Sequence, residues 1–345
     1  MKLWNNSVHI RIASALVLVL ITTFLLREIR MPVSAAADYE CGKPAPGEVE
    51  IAIARGATGS AIARTLFDAG VTKSSQTFFR LAVADPRSAK VAPGTHTLEL
   101  QLCAQDALTQ LLDSKRIKGL INITEGMWIS EVLPQMYAAG IPKSEVLLAL
   151  KELELPKGFS TTEGLLFPAQ YSFASGTSAT EAFSAMLRRS EEEMRRAGFF
   201  NSSDPFTPQQ FLAIASLIQA EGNTQDFTKI AQVIRNRLRI GMPLQFDSTV
   251  HYIKKSRGSV FLSTQSTLIN SPYNTYKRYG LPPGPINNPG QDAMQAAMNP
   301  DAGDWLYFIT VAPFDTRFTS SIQEFNNWKL EYKKNLKAGK FRSSP

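Results

Sequence analysis

A single acid at the end of an apolar stretch is the most informative side chain of the sequence. FTPQQFLAIASLIQAEGN, residues 206–223, contains one charged residue, Glu221. An apolar wall disfavours the ionised carboxylate, and so does the negative end of a helix dipole. Both placements raise the pKa, and a glutamic acid that stays protonated near neutral pH can protonate a glycosidic oxygen. The alternative is a solvated side chain in the last helical turn.

A helix must position this acid, and the sequence marks both ends of that helix. Thr207, with Gln210 three residues later, forms a capping box, and Pro208 takes the first helical position. Apolar residues follow on the face that also carries Glu221: Phe211, Ile214, Leu217 and Ile218. We expect Gly222 to end the helix in the left-handed conformation.

The segments that follow offer polar side chains to a site. A second helix is predicted from Phe227 to a stop at Gly241, and Asn236 interrupts its apolar stripe. YNTY, residues 273–276, and GLPPGPINNPG, residues 280–290, fit neither helix nor strand. Tyrosine and asparagine beside a rigid Pro-Gly loop suit a sugar ring, although a loop that only closes a core has the same composition.

The N-terminal residues indicate export. Residues 12–26 form an uncharged apolar run, which predicts a single N-terminal transmembrane helix within residues 1–31, preceded by a short cytoplasmic stub. The alternative is a signal peptide that is cleaved within residues 34–36. In either case, the bulk of the chain is expected outside the cytoplasm.

A linker and a small first domain are predicted next. Residues 32–47 are rich in Ala, Pro and Gly, and residues 48–118 show the order strand, helix, helix, strand. This order resembles the small LysM-like βααβ fold, a module associated with polymers of N-acetyl sugars. The two cysteines, Cys41 and Cys103, would form one disulfide in an exported chain or remain two unrelated thiols.

The predicted fold class is α+β, with a mixed α/β catalytic domain over residues 119–345 and a helical arm at about 179–200. The net charge of +7 comes without an arginine and aromatic recognition pattern, which argues against nucleic acid as a partner. The histidines have no metal-ligand spacing, and neither a phosphate-binding loop nor a serine-hydrolase elbow is present. We therefore expect no metal and no cofactor.

Several motifs resemble one known family in sequence and in order. They are EGMWI, EGLLFP, ASLIQAEG, VIRNRLRIGMPLQFDSTV, YNTY and GLPPGPINNPG. This series is similar to the YceG-like family of endolytic murein transglycosylases. The resemblance covers most of the chain from about residue 48 and is strongest over residues 215–289.

The resemblance implies an activity, a site and partners. It implies cleavage of the MurNAc-GlcNAc linkage within nascent glycan strands without water, which leaves 1,6-anhydro-MurNAc ends and terminates strand elongation. Glu221 falls on the catalytic glutamate, and the cleft would be lined by Asn236, Gln245, Asp247, Tyr273, Asn274 and Tyr276. The implied partners are peptidoglycan glycan strands, the cytoplasmic membrane and peptidoglycan synthases. The implied location is the cytoplasmic membrane, with the catalytic domain on its extracytoplasmic side.

The chain departs from the family pattern at two places, and two alternative functions remain open. Gln219 occupies a position where the family often has a second acid, and Thr316 and Phe325 replace two late histidines. One alternative is a lysozyme-like muramidase that hydrolyses the bond with Glu221 and a second carboxylate, Asp247 or Asp226. The other is a non-catalytic peptidoglycan-binding scaffold in which Glu221 has no chemical role.

Overall fold

The described part of the protein consists of two compact units. The computed structural model describes residues 37–54, 56–173, 176–257 and 263–341. The units divide between Arg116 and Ile117. The boundary predicted from the sequence lies two residues later, between Lys118 and Gly119.

The fold-class prediction needs a correction at the N-terminus. Within the described ranges, no helix is both long enough and apolar enough to cross a membrane. The longest helix of these ranges, Ala179–Ala197, has 19 residues but contains the run RRSEEEMRR, which is far too charged for lipid. The predicted stub, transmembrane helix and alternative cleavage site lie outside the described residues. The described fold is therefore mixed α and β without a membrane span.

The first unit contains the predicted order of strand, helix, helix and strand. Its elements are β1 Glu48–Ile53, α1 Gly59–Asp68, α2 Ser75–Ala84, β2 Gly94–Glu99 and α3 Ala104–Leu112. Strands β1 and β2 pair antiparallel, with Val49 opposite Leu98. Helices α1 and α2 start at Thr58 and Ser74, whose side chains accept from backbone N–H groups of the first turn. The apolar faces close over a core that includes Leu66, Phe78 and Leu108.

A disulfide between Cys41 and Cys103 fastens the start of the first unit to the residue that precedes α3. It closes a loop with a sequence separation of 62 residues. Replacing both cysteines by serine should lower the free energy of unfolding by about 2–4 kcal/mol, because the unfolded chain gains conformational freedom. Urea unfolding with and without reductant measures this effect. The serine variant serves as its own control, since it should not respond to reductant; equal stability of both proteins would contradict the prediction.

The second unit contains most of the helices. Its elements are β3 Ile117–Lys118, β4 Leu120–Ile123, α4 Ile129–Ala138, α5 Lys143–Glu152, β5 Ala169–Ser172, α6 Ala179–Ala197, α7 Pro208–Glu221, α8 Phe227–Arg239, α9 Asp247–Lys254, α10 Gln291–Met298, β6 Tyr307–Ala312, β7 Asp315–Thr319 and α11 Ile322–Lys337. Strands β4 and β5 pair antiparallel, and so do β6 and β7. Helix α6, predicted as an arm, packs on α5 and α10 and contributes Phe183 and Met186 to the core.

Helix α7 lies at the centre of the second unit. Every residue from Phe211 to Ile218 is buried, so the helix is covered on all sides rather than on the single face that its periodicity indicates. Its neighbours are α8, α9 and α10. Because its middle is fixed by packing on every side, the position of its last residue, Glu221, is fixed as well.

Candidate active site

The first and last residues of α7 follow the sequence prediction, whereas the conformation of its capping glycine does not. The side chain of Thr207 accepts from the N–H of Gln210, whose own side chain accepts from the N–H of Thr207 at 2.8 Å. At the other end, Gly222 has φ −157° and ψ −176°, which is extended backbone and not the predicted left-handed cap. A Cβ at Gly222 would lie 2.3 Å from Cδ1 of Ile230. A side chain at position 222 is therefore disfavoured by a close contact with the end of the Ile230 side chain, and not by the backbone angles.

Glu221 opens into a cavity of about 410 Å³ in the second unit. The cavity is lined by residues of α7, α9, the segment before α4 and the loop before α10, among them Glu125, Trp128, Gln219, Asp247, Ser248, His251, Arg257 and Asn287. The hydroxyl of Ser248 donates to Oε1 of Glu221 at 2.5 Å. The acid thus lies where the end of α7 meets the start of α9.

Burial raises the pKa of Glu221 to about 7. The hydrogen bond from Ser248 and the charge of Arg237 oppose this increase in pKa, whereas the negative charge of Asp247 adds to it. At neutral pH the carboxyl is therefore divided between its acid and its ionised form. A group in this state can give a proton and take it back, which is what general acid and base catalysis requires.

Asp247 and Ser248 are the first two residues of α9, and the YNTY segment fixes where this helix begins. The N–H of Phe246 donates to Oγ1 of Thr275 at 2.9 Å, and the N–H of Gln245 donates to the carbonyl of Thr275 at 3.1 Å. The hydroxyl of Tyr276 donates to Oδ1 of Asp247. Two predicted cleft residues, Asp247 and Tyr276, are thus linked beside the acid.

Replacing Asp247 by asparagine should lower the pKa of Glu221, because it removes a negative charge that disfavours ionisation and keeps an acceptor for Tyr276. Since general acid catalysis requires the protonated form of Glu221, the alkaline limb of a pH-activity profile should move to lower pH. Asp68→Asn makes the same charge change in the first unit and is the control. An alkaline limb that stays in place in Asp247→Asn would contradict the prediction.

Two predicted cleft residues, Asn236 and Asn274, form hydrogen bonds within the protein instead of lining the cavity. The amide of Asn236 donates to the carbonyls of Gly303 and Trp305, at 3.0 and 2.9 Å. The amide of Asn274 donates to the carbonyls of Thr267 and Ile269, at 3.0 and 2.7 Å. Both asparagines are buried, and neither lines the cavity beside Glu221. Asn236 thus connects α8 to the segment before β6, and Asn274 connects the YNTY segment to the chain just before it.

Gln245 and Tyr273 also lie outside the lining of this cavity. Gln245 is exposed and has a positive φ of 51° just before α9 begins. The ring of Tyr273 packs against that of Tyr252, with 5.2 Å between ring centroids. Their role in binding substrate stays a prediction.

Arg237 is a member of the site that was not predicted from the sequence. Its side chain is 7% exposed, and it donates to the carbonyls of Leu306 and Leu244 at 2.7 and 2.5 Å. Burial lowers the pKa of its guanidinium, while the charge of Glu221 raises it. The signal in the sequence was an arginine within the apolar stripe of the predicted second helix. A charge in that position needs partners if it is buried.

Beside α9, the lining of the cavity contains an arginine stacked on a tryptophan. The guanidinium of Arg257 lies 4.0 Å from the ring centroid of Trp128. It also donates to both carboxylate oxygens of Glu131 at 2.6 Å and to the carbonyl of Gly126 at 2.7 Å. Trp128 belongs to the EGMWI motif, but nothing in the sequence connects this motif with Arg257.

Gln219 lies in the same cavity, one half-turn before the acid. Its Oε1 accepts from the N–H of Gly290 at 2.9 Å. An amide oxygen makes this bond without adding a charge. The raised pKa of Glu221 therefore depends on burial and on Asp247, not on a second acid at this position.

A metal has little to bind in the part of the chain that the structure covers. One group there, Cys41, Cys103 and Asp106, has the spacing of metal ligands. Its two sulfur atoms are joined in the disulfide, which leaves a single carboxylate.

Comparison with known proteins agrees with these features. The YceG-like family matches residues 51–331. A Bacillus subtilis protein named endolytic murein transglycosylase is 32% identical over 308 residues, which is 82% of this chain and 84% of the relative. A Streptococcus pneumoniae protein of the same name is 36% identical over 152 residues, 43% of this chain and 28% of that protein. The crystal structure of a YceG-like protein from Listeria monocytogenes superposes with a TM-score of 0.56 at 25% identity, and covers 81% of this chain and 98% of its own. The chain therefore belongs to the YceG-like family.

Proposed function

We propose that this protein is an endolytic lytic transglycosylase that cleaves the MurNAc-GlcNAc linkage within peptidoglycan strands. The observation that carries the proposal is Glu221, a single acid with its pKa raised to about 7 at a cavity of about 410 Å³. The names of the relatives support the same activity. A cavity of this kind, with a few polar groups around one perturbed carboxyl, is typical of an enzyme site.

One carboxyl is sufficient for this reaction, because the nucleophile belongs to the substrate. Glu221 in its acid form protonates the glycosidic oxygen as the bond from C1 of MurNAc to that oxygen breaks. The resulting carboxylate then takes the proton of the C6 hydroxyl as O6 forms a bond to C1. The products are a GlcNAc hydroxyl and a 1,6-anhydro-MurNAc end, and the acid is restored without water.

The placement of the two carboxylates that a hydrolase could pair with Glu221, Asp226 and Asp247, favours this route over hydrolysis. Asp226 is 6% exposed and does not line the cavity. Asp247 does line it, but its Oδ1 is held by the hydroxyl of Tyr276. A hydrolase would need a carboxylate free to act as nucleophile or to activate water.

We further propose that the reaction takes place outside the cytoplasm. The disulfide between Cys41 and Cys103 supports this location, since such bonds persist in oxidising compartments. The βααβ order of the first unit supports a LysM-like role in holding glycan strands. Termination of strands beside peptidoglycan synthases rests on the family resemblance alone.

Mass spectrometry of the glycan products tests the proposed function. The full-length protein and its Glu221→Gln variant are incubated with uncrosslinked glycan strands. Products with 1,6-anhydro-MurNAc ends from inside the strands, absent with the variant, are the expected result. Reducing ends would identify a hydrolase, and no cleavage by either protein would favour the binding scaffold.

A further inference from the structure

Ser248 makes a direct hydrogen bond to the catalytic carboxyl, although it neither gives nor takes the proton of the reaction. It is the second residue of α9, and its hydroxyl reaches Oε1 of Glu221 at 2.5 Å. Two hydrogen bonds fix the start of helix α9. The N–H of Phe246 donates to Oγ1 of Thr275, and the hydroxyl of Thr249 donates to the carbonyl of Phe246. The donor is therefore held by a fixed element and not by a mobile loop.

We propose that Ser248 is a positioning residue for the transglycosylase reaction, whose hydroxyl occupies Oε1 of Glu221 so that Oε2 carries the proton in both chemical steps. This inference rests on the proposed function. Oε2 is then the oxygen that faces the glycosidic bond, and Ser248 is the residue that selects it.

The reaction makes this selection useful. The same carboxyl first gives a proton to the leaving oxygen and then takes one from the C6 hydroxyl, two substrate atoms on one sugar linkage. A hydroxyl that donates to Oε1 satisfies that oxygen in either form, because a carboxylic acid and a carboxylate both accept there. The proton is then restricted to Oε2, and rotation of the carboxyl, which would exchange its oxygens, costs a hydrogen bond.

Ser248 also has a measurable effect on the titration of the acid. A donor to the ionised form favours that form, so removing the hydroxyl should raise the pKa of Glu221. The other groups that act on this carboxyl are the backbone N–H of Ser248, Asp247 on α9 and Arg237 on α8, and His251 and Glu125 line the same cavity. None of these groups is changed by a substitution at Ser248.

The experiment compares Ser248→Ala, which lacks the donor, with Ser248→Thr, which keeps it. Glutamate labelled with ¹³C at the carboxyl carbon allows the pKa of Glu221 to be measured by NMR without substrate, with Glu221→Gln used to assign its signal. Cleavage of glycan strands gives kcat, KM and their pH dependence. Thermal unfolding verifies the fold, and Ser248→Cys, a much weaker donor, replaces the alanine variant if that variant is unfolded.

We expect Ser248→Ala to lower kcat about tenfold or more with KM nearly unchanged, and to move the alkaline limb to higher pH. Ser248→Thr should restore both the rate and the pKa. The inference is overturned if the alanine variant keeps the pKa and kcat of the wild type, or if threonine fails to restore them. If the wild-type protein cleaves nothing, the proposed function fails, while the NMR titration still decides whether Ser248 holds Glu221.

Discussion

Replacing Glu221 by glutamine should lower kcat for strand cleavage about 10³-fold or more, since a positioned acid and base typically contributes 10²–10⁴-fold. The amide can accept from Ser248 as the carboxyl does, so the cavity keeps its shape while its proton is lost. Release of anhydro-MurNAc ends measures the effect. An unchanged rate in this variant would exclude Glu221 as the acid.

The same substitution should change how stability depends on pH. The pKa of Glu221 is raised from 4.5 to about 7 in the folded protein, so folded chains keep a proton that unfolded chains have released. Stability is lost as pH rises through this window, by about 3 kcal/mol in total above pH 7. Glutamine removes this loss, so Glu221→Gln should be more stable than the wild type at pH 8.

Urea unfolding at pH 5 and pH 8 checks this expectation. The control is Glu152→Gln, which makes the same charge change at an exposed position of the second unit. That variant should follow the wild type at both pH values. Equal stability of wild type and Glu221→Gln at pH 8 would mean that Glu221 is not desolvated in the folded protein. A loss of activity with a gain in stability is typical of a strained functional group.

Local signals in the sequence were sufficient to place the acid on its helix. The capping box at Thr207 fixes where α7 begins, and the apolar periodicity carries it to Glu221. The conformation of Gly222 could not be predicted in the same way, because it depends on a contact with Ile230, which lies on the next helix, α8. A glycine after a helix more often signals a left-handed cap than a close contact, so the common interpretation was wrong here.

The residues that contact Glu221 could not be predicted from local sequence patterns, for a related reason. Ser248 lies 27 residues after Glu221, and only the packing of α9 on α7 brings them together. Asn236 and Asn274 look like binding residues in a motif, yet their amides bond to backbone carbonyls. The sequence identifies the residues of a motif. Coordinates are needed to tell which of those residues contact the substrate and which support the fold.

Replacing Gly222 by alanine should reduce activity about 10²-fold, because it displaces the residue that follows the acid. The new Cβ would lie 2.3 Å from Cδ1 of Ile230, far inside normal contact. Since φ is −157°, alanine meets no backbone penalty at this position, and the whole cost is steric. We expect a loss of about 1–3 kcal/mol in the free energy of unfolding, the usual cost of an overpacked core.

A compensating substitution separates this cause from any other. Ile230→Val removes the Cδ1 atom that the new methyl group would strike, at a cost of about 1 kcal/mol on its own. The double variant Gly222→Ala/Ile230→Val should therefore recover most of the activity that Gly222→Ala loses, a non-additive result in a double-mutant cycle. Cleavage rates and urea unfolding of all four proteins provide the cycle. Strictly additive losses would show that glycine is needed at position 222 for a reason other than its contact with Ile230.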